Sequence, residues 1–261
     1  MSTRLALCAL SLALVCGCHF SFYSRPDYEP VGEFEIGMAS TGAKKIKLRN
    51  NVGTLTVEPG DSQLIWAEVK VHYRGGRKEL GRAPTPAQDF ILELTGDAVN
   101  VRNSHVDESG ASDWMMDIHL KAPRGLDLEI TGGVGDCHVR DMEASASVKV
   151  GVGNTDVTSG RTTGVSVAVG TGDVNLVLYG EGPSGDVRCK SGVGNVSIRV
   201  PHGFAGEVIL RTGVGNITVE NATAIVVDRH LGSASAQGRL GDSAVKIRGG
   251  TGTGDVYLTR D

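Results

Sequence analysis

A chain of 261 residues is long enough for one domain or two and for a sizeable core. With 37 glycines but only 8 prolines, and no Gly-X-Y period, it is not collagen-like. A net charge of −4 gives no global polyanion-binding character, so nucleic acid is not an expected partner, and 5% aromatics leaves the core to Val, Ile, Leu, Ala and Thr.

In chain order, Met1-Ser2-Thr3-Arg4 is a short basic start, and Leu5 to Val15 is an apolar run interrupted only by Ser11. That run suits the core of a signal peptide and is too short for a bilayer span of roughly 20 residues. It ends in Val15-Cys16-Gly17-Cys18, which resembles a bacterial lipobox. The resemblance implies cleavage before Cys18, diacylglycerol on its sulfur and a further acyl chain on the new amino group. Two or three chains suffice for stable membrane anchoring, whereas one does not. The competing reading is an ordinary cleaved signal with incidental cysteines. Residues 1–17 are therefore expected to be a lipoprotein signal peptide and 18–44 a lipidated tether, whose Pro26 and Pro30 favour extended chain. By the sorting tendency of such lipoproteins, His19 after the cysteine points to the outer rather than the inner membrane, with a Gram-positive surface still open.

Residues 45–261 read as one β-repeat domain, with 45–120 as irregular N-terminal rungs. Ile46 to Val57 is a first copy of a strand, Gly-x-Gly-like corner, strand unit. Ile65, Ala67, Val69, Val71 and Tyr73 alternate as a half-buried strand, 74–88 reads as a loop, and Phe90 to Val101 as two strands around Gly96-Asp97. From Leu126 the unit becomes countable. Its second corner glycine falls at Gly135, Gly153, Gly172, Gly194, Gly215, a degenerate Gly232, and Gly254, at spacings of 18, 19, 22, 21, 17 and 22. Positions two and four after each glycine, and one and five before it, are apolar columns and are expected to face inward.

Columns of this kind arise when equivalent strand positions stack. The expected fold is all-β: a single-stranded β-solenoid, or one-sided β-helix, of about seven or more rungs with a longer-stranded N-terminal cap. The rival is a hairpin meander, in which the positions on either side of each corner would pair directly. The Pro-x-Gly and Gly-x-Gly-Asx units from Pro123 to Val139 and from Pro201 to Val219 resemble the putative-adhesin β-repeat family, also called toastrack domains. The resemblance spans roughly 45–261. It implies a β-helix on bacterial envelope proteins, sometimes tied to envelope-stress signalling, with no catalytic residues to carry over.

No constellation for chemistry emerges, so no catalytic residue, metal ligand or cofactor is assigned. Cys137 and Cys189 occupy apolar columns three rungs apart, about 14 Å along a stack, beyond the Cα limit of about 7 Å for a bridge. Two buried free thiols are expected. The Asx series Asp136, Asn154, Asp173, Asn195, Asn216 and Asp255 has the wrong period for a calcium repeat and reads as turn stabilisation. The histidines lack metal-ligand spacing.

What faces outward is a basic stripe, with Lys149, Lys190 and Arg211 in one column and Arg188 and Arg248 in the next. It is either a solvated face or a contact for an acidic envelope glycan, headgroup or protein partner. The expected function is a non-enzymatic, membrane-anchored envelope protein that presents a binding or adhesion surface. The alternatives are self-assembly as a homo-oligomer through an open edge at the C-terminal strand, and a part in envelope-stress sensing.

Overall fold

A computed structural model of the protein describes residues 28–105 and 113–261. The leader, Cys18 and His19 lie outside the described residues. The first strands are β1 (Tyr28–Ala39), β2 (Lys45–Val52), β3 (Leu55–Pro59) and β4 (Leu64–Arg74). Two short helices follow, α1 (Gly76–Leu80) and α2 (Pro86–Asp89), then β5 (Phe90–Thr95), β6 (Ala98–Asn103) and β7 (Trp114–Ala122). The regular units are β8 (Asp127–Val134) with β9 (Cys137–Arg140), β10 (Ala146–Val152) with β11 (Thr155–Thr162), and β12 (Val165–Thr171) with β13 (Val174–Pro183). They continue with β14 (Val187–Val193) and β15 (Val196–Val200), then β16 (Gly206–Val214) and β17 (Ile217–Glu220). A hairpin of β18 (Ile225–Arg229) and β19 (Ala234–Leu240) precedes the last unit, β20 (Lys246–Thr253) and β21 (Val256–Arg260).

These strands form two large sheets, each open at both ends. Sheet A has ten strands in the order β1-β4-β7-β3-β9-β11-β13-β15-β21-β17, and sheet B has eleven in the order β18-β19-β16-β20-β14-β12-β10-β8-β2-β6-β5. Each repeat sends its first strand to sheet B, turns at the glycine corner and sends its second to sheet A. The neighbours are parallel and in register: Val148 pairs with Ile130 on one side and Val167 on the other, and Val157 with Val139 and Leu176. A hairpin meander would instead join the two strands of one repeat antiparallel, so the fold is solenoid-like. Because the columns coincide, one apolar residue per strand position suffices to build a continuous core. Ile130, Val148, Val167, Cys189 and Leu210 of sheet B are buried, as are Val139, Val157, Leu176, Ile198 and Leu258 of sheet A. Each such side chain contributes about 1.5–3 kcal/mol by leaving water.

The corners require glycine. Gly153, Gly172 and Gly194 have φ of 143°, 140° and 138°, and a Cβ there would lie 2.1–2.2 Å from the carbonyl oxygen of the corner glycine one rung back. Buried hydroxyls satisfy the same carbonyls: Ser191 donates to Gly172 (2.7 Å), Thr251 to Gly194 (2.7 Å) and Thr212 to Gly254 (2.8 Å). Asn50, at the equivalent place in the β2–β3 rung, donates to Met116 O at 2.6 Å.

The structure corrects several expectations. The column just before each corner glycine does not face inward: Val134, Val152, Val193 and Val214 are 52%, 49%, 52% and 59% exposed. This residue is the apex of a bend between two glycines, and strict alternation ends there. Tyr28–Ala39, expected in the tether, is an edge strand antiparallel to β4, with Phe34 opposite Val69 and Ile36 opposite Ala67. Phe34, Ile36 and Met38 pack against the core, an alternation that Pro26 and Pro30 disguise in the sequence. Part of the loop expected at 74–88 is helical, in α1 and α2. The degenerate Gly232 is no rung corner; it turns the antiparallel β18–β19 hairpin, where His230 N donates to Ser233 O at 2.9 Å.

The last correction concerns the C-terminal strands, which do not end the stack. β20 lies between β14 and β16, and β21 between β15 and β17. The open C-terminal edge through which self-assembly was expected does not exist, because both sides of β21 are already paired.

Candidate functional site

The most distinctive outward surface is sheet B. In-register pairing aligns Lys149, Ala168, Lys190, Gly250 and Arg211 across adjacent strands, and beside them Ser166, Arg188, Arg248 and Ile209. The two cationic columns read from the sequence are thus real neighbours. Their order is not chain order, because the inserted β20 places Gly250 between Lys190 and Arg211. Lys149, Arg188, Lys190 and Arg211 are exposed, and among the described residues none has a carboxylate within ion-pair distance. Arg248 has one: its Nη1 lies 3.5 Å from Asp186 Oδ2. Free exposed cations on a rigid sheet are suited to meeting an anionic surface, and their attraction falls with added salt.

Lys190, Ile209, Arg211, Arg248, Gly249 and Gly250 line a depression of ≈ 300 Å³. Lys149 lines a different one, with Lys45, Asp127 and Glu129, whose charge is mixed.

The Asx series forms a hydrogen-bonded ladder between rungs rather than turns closed on themselves. Asp136 Oδ1 accepts from Asn154 N (2.8 Å), Asn154 Oδ1 from Asp173 N (3.0 Å) and Asp173 Oδ1 from Asn195 N (2.7 Å). Asn195 Oδ1 then accepts from Asp255 N (2.8 Å), and Asp255 Oδ1 from Asn216 N (2.7 Å), which repeats the inserted order. Asp and Asn serve equally in the ladder, because it uses only one acceptor oxygen of each side chain. Among the described residues no group of three His, Cys, Asp or Glu side chains is placed to hold a metal ion.

Cys137 faces the core from sheet A and Cys189 from sheet B, both free and fully buried. Burial pushes each thiol up to about 12, with Asp156 adding to the effect at Cys137. Alkylation of the native chain should therefore spare both, and unfolding should expose both. Peptide mapping by mass spectrometry before and after denaturation checks this.

One cluster was not read from the sequence. The Asp89 side chain, at the end of α2, is inaccessible to solvent, yet it meets the Arg82 guanidinium through both oxygens, His105 Nε2 at 2.6 Å and Thr85 N at 2.7 Å. The His105 ring stacks on Trp114 at 4.2 Å, and Tyr73 meets the same indole edge-on at 5.2 Å. Its members are spread over 73–114 with no spacing motif, so only the fold assembles them. Burial raises the Asp89 pKa, but the hydrogen bonds from Arg82, His105 and Thr85 outweigh it and hold the carboxyl at about 2. With the folded pKa below the unfolded one, the group stabilises fully above about pH 4, and the contribution fades as pH falls toward 2. It amounts to about 2 kcal/mol. Asp89→Asn should lower the melting temperature at neutral pH and flatten its decline between about pH 4 and pH 2. Thermal melts of both proteins across that range provide the check.

No protein-family profile matches the chain, and no curated protein matches it in sequence. Its structure is similar to that of a protein from Clostridium sporogenes described as a putative cell adhesion protein. The TM-score is 0.52 at 14% identity, covering 89% of this chain and 100% of that one. The two share a fold. A protein from Bacteroides fragilis described as a putative adhesin aligns over 87% of this chain and 97% of its own, at 13% identity and a TM-score of 0.36.

Proposed function

We propose that this chain is a non-enzymatic protein of the bacterial envelope, lipid-anchored through Cys18, whose solenoid presents the outer face of sheet B as a binding or adhesion surface for an acidic envelope polymer. The observation that carries the reading is the pair of cationic columns, Lys149, Lys190 and Arg211 beside Arg188 and Arg248, four of them unpaired among the described residues. In support stand the lipobox-like Val15-Cys16-Gly17-Cys18 and a fold shared with a protein described as a putative cell adhesion protein. A stacked sheet suits the task, since its backbone holds the side chains at strand intervals of about 4.8 Å and leaves only the side chains themselves to be ordered on binding.

The test is binding of the full chain to anionic cell-wall polymers against neutral glycans at low and high salt. Binding should favour the anionic polymers and weaken with salt. Lys190→Glu combined with Arg211→Glu should reduce it by at least about tenfold. Unchanged binding in that double variant would remove the reading. Cys18→Ser should independently release the protein from the membrane fraction. Any soluble fragment must retain β1, because one starting at residue 45 uncovers β4 along its whole length.

A further inference from the structure

We propose that Lys190, Arg211 and Arg248 form a three-cation cup over Gly250 that binds a single phosphate group. The inference rests on the reading of sheet B as the ligand face and narrows it to one site and one chemistry. The cup is a product of the inserted rung. Were β16 stacked directly on β14, Lys190 and Arg211 would stand on adjacent strands, about 5 Å apart, with no open position in the sheet face between them. Insertion of β20 separates them by two strand spacings, about 10 Å, and the residue placed between them has no side chain. Arg248 closes a third side, two residues along the same strand from Gly250.

The depression of ≈ 300 Å³ has a floor of glycine backbone and one apolar wall, Ile209. Gly250 keeps it open, since a Cβ there would lie 2.9 Å from Arg211 O and project into the cup. Three donors on three sides match a tetrahedral oxyanion, whose oxygens point in different directions. A planar carboxylate offers two oxygens in one plane and leaves a cation unanswered. The two guanidiniums can each bind in fork geometry, and Lys190 supplies a point charge. Among the described residues Asp186 is the one acid paired to the cup, through Arg248, and it also accepts from Lys246 N at 3.1 Å. Lys246 itself is paired with Glu207 at 3.3 Å and takes no part.

Titration calorimetry of the full chain with inorganic phosphate, and with acetate for comparison, tests the cup. Phosphate should bind more tightly than acetate. Lys190→Gln, Arg211→Gln and Arg248→Gln should each weaken it about tenfold, while Arg140→Gln, an exposed cation on sheet A and outside both columns, should not. Asp186→Asn keeps the acceptor for Lys246 N, frees Arg248 and should tighten binding several-fold. All are exposed or half-exposed positions, and a thermal melt verifies folding.

The source of the phosphate is read by two further arms. Binding to phosphatidylglycerol vesicles with competition by free phosphate assigns it to a lipid headgroup, and binding to a poly(glycerol phosphate) chain without vesicle binding assigns it to a polymer. Absence of phosphate binding, or an equal loss in Arg140→Gln, overturns the cup. If acidic polymers still bind in a salt-dependent way, the broader reading of the face survives; if they do not, both fall.

Discussion

Deletion of residues 246–261 is expected to unfold the C-terminal third of the domain rather than trim its end. In a simple solenoid the last rung touches one neighbour, and its loss costs one interface. Here the last segment of the chain is an interior rung, so deletion breaks the β14–β20 and β16–β20 ladders together with β15–β21 and β17–β21. It also removes Ile247, Val256 and Leu258, all fully buried, worth together about 5–8 kcal/mol of apolar burial. That is comparable to the stability of a whole domain. The β16–β19 strands would lose the ladders that join them to the stack among the described residues, while β8–β13 would keep both neighbours. Hydrogen exchange should show protection lost from 206–240 and retained over 127–178. Tyr257→Pro should reproduce the effect in milder form, by about 3 kcal/mol, since proline cannot donate to the ladder. A truncated chain melting like the intact one would contradict the topology.

The second large effect is expected at the corner glycines. In Gly194→Val the new Cβ would lie 2.2 Å from Gly172 O, at a φ of 138° that β-branched residues avoid. The obstructing atom is backbone in a stacked corner and cannot move without shifting the next rung as well. The loss should be at least about 4 kcal/mol, read from denaturant unfolding. Gly232→Ala makes the informative contrast. There φ is 84° but nothing lies within 4 Å of the new Cβ, so the cost should be about 1 kcal/mol. Gly203 is open and needs no positive φ, and Gly203→Ala should be close to neutral. Three glycines with three costs separate the clash of stacked backbones from glycine's conformational freedom.

The periodicity that exposed the fold in the sequence is strong because stacking converts one local rule into a column. The positions two and four after the corners, such as Val174 and Leu176 or Val196 and Ile198, are buried as read, with only Val219 half-buried among those of the regular rungs. The position before the corner failed the same rule, since alternation assumes a straight strand and the chain bends there. The two cationic columns were legible for the same reason as the core, yet the cup was not. It depends on which rung lies next to which, and Lys190, Arg248 and Arg211 meet only because the chain doubles back. Nor could spacing reveal the Arg82–Asp89–His105 cluster, whose partners come from a loop, a short helix and a strand end.

By itself, then, the sequence determined the strand-corner-strand unit, its glycines, the inward Val, Ile and Leu columns, the burial of Cys137 and Cys189 and the outward cations. These follow from local sterics and a period of two, which act on near neighbours along the chain. Only the tertiary structure decided that the last rung is inserted, that the Asx side chains link successive rungs, that β1 covers β4 as the edge strand of sheet A and that Gly250 opens a gap among three cations. Parallel pairing can join any two strands of compatible register, so the order of rungs is a choice among near-equivalent partners, and it is made by the whole stack.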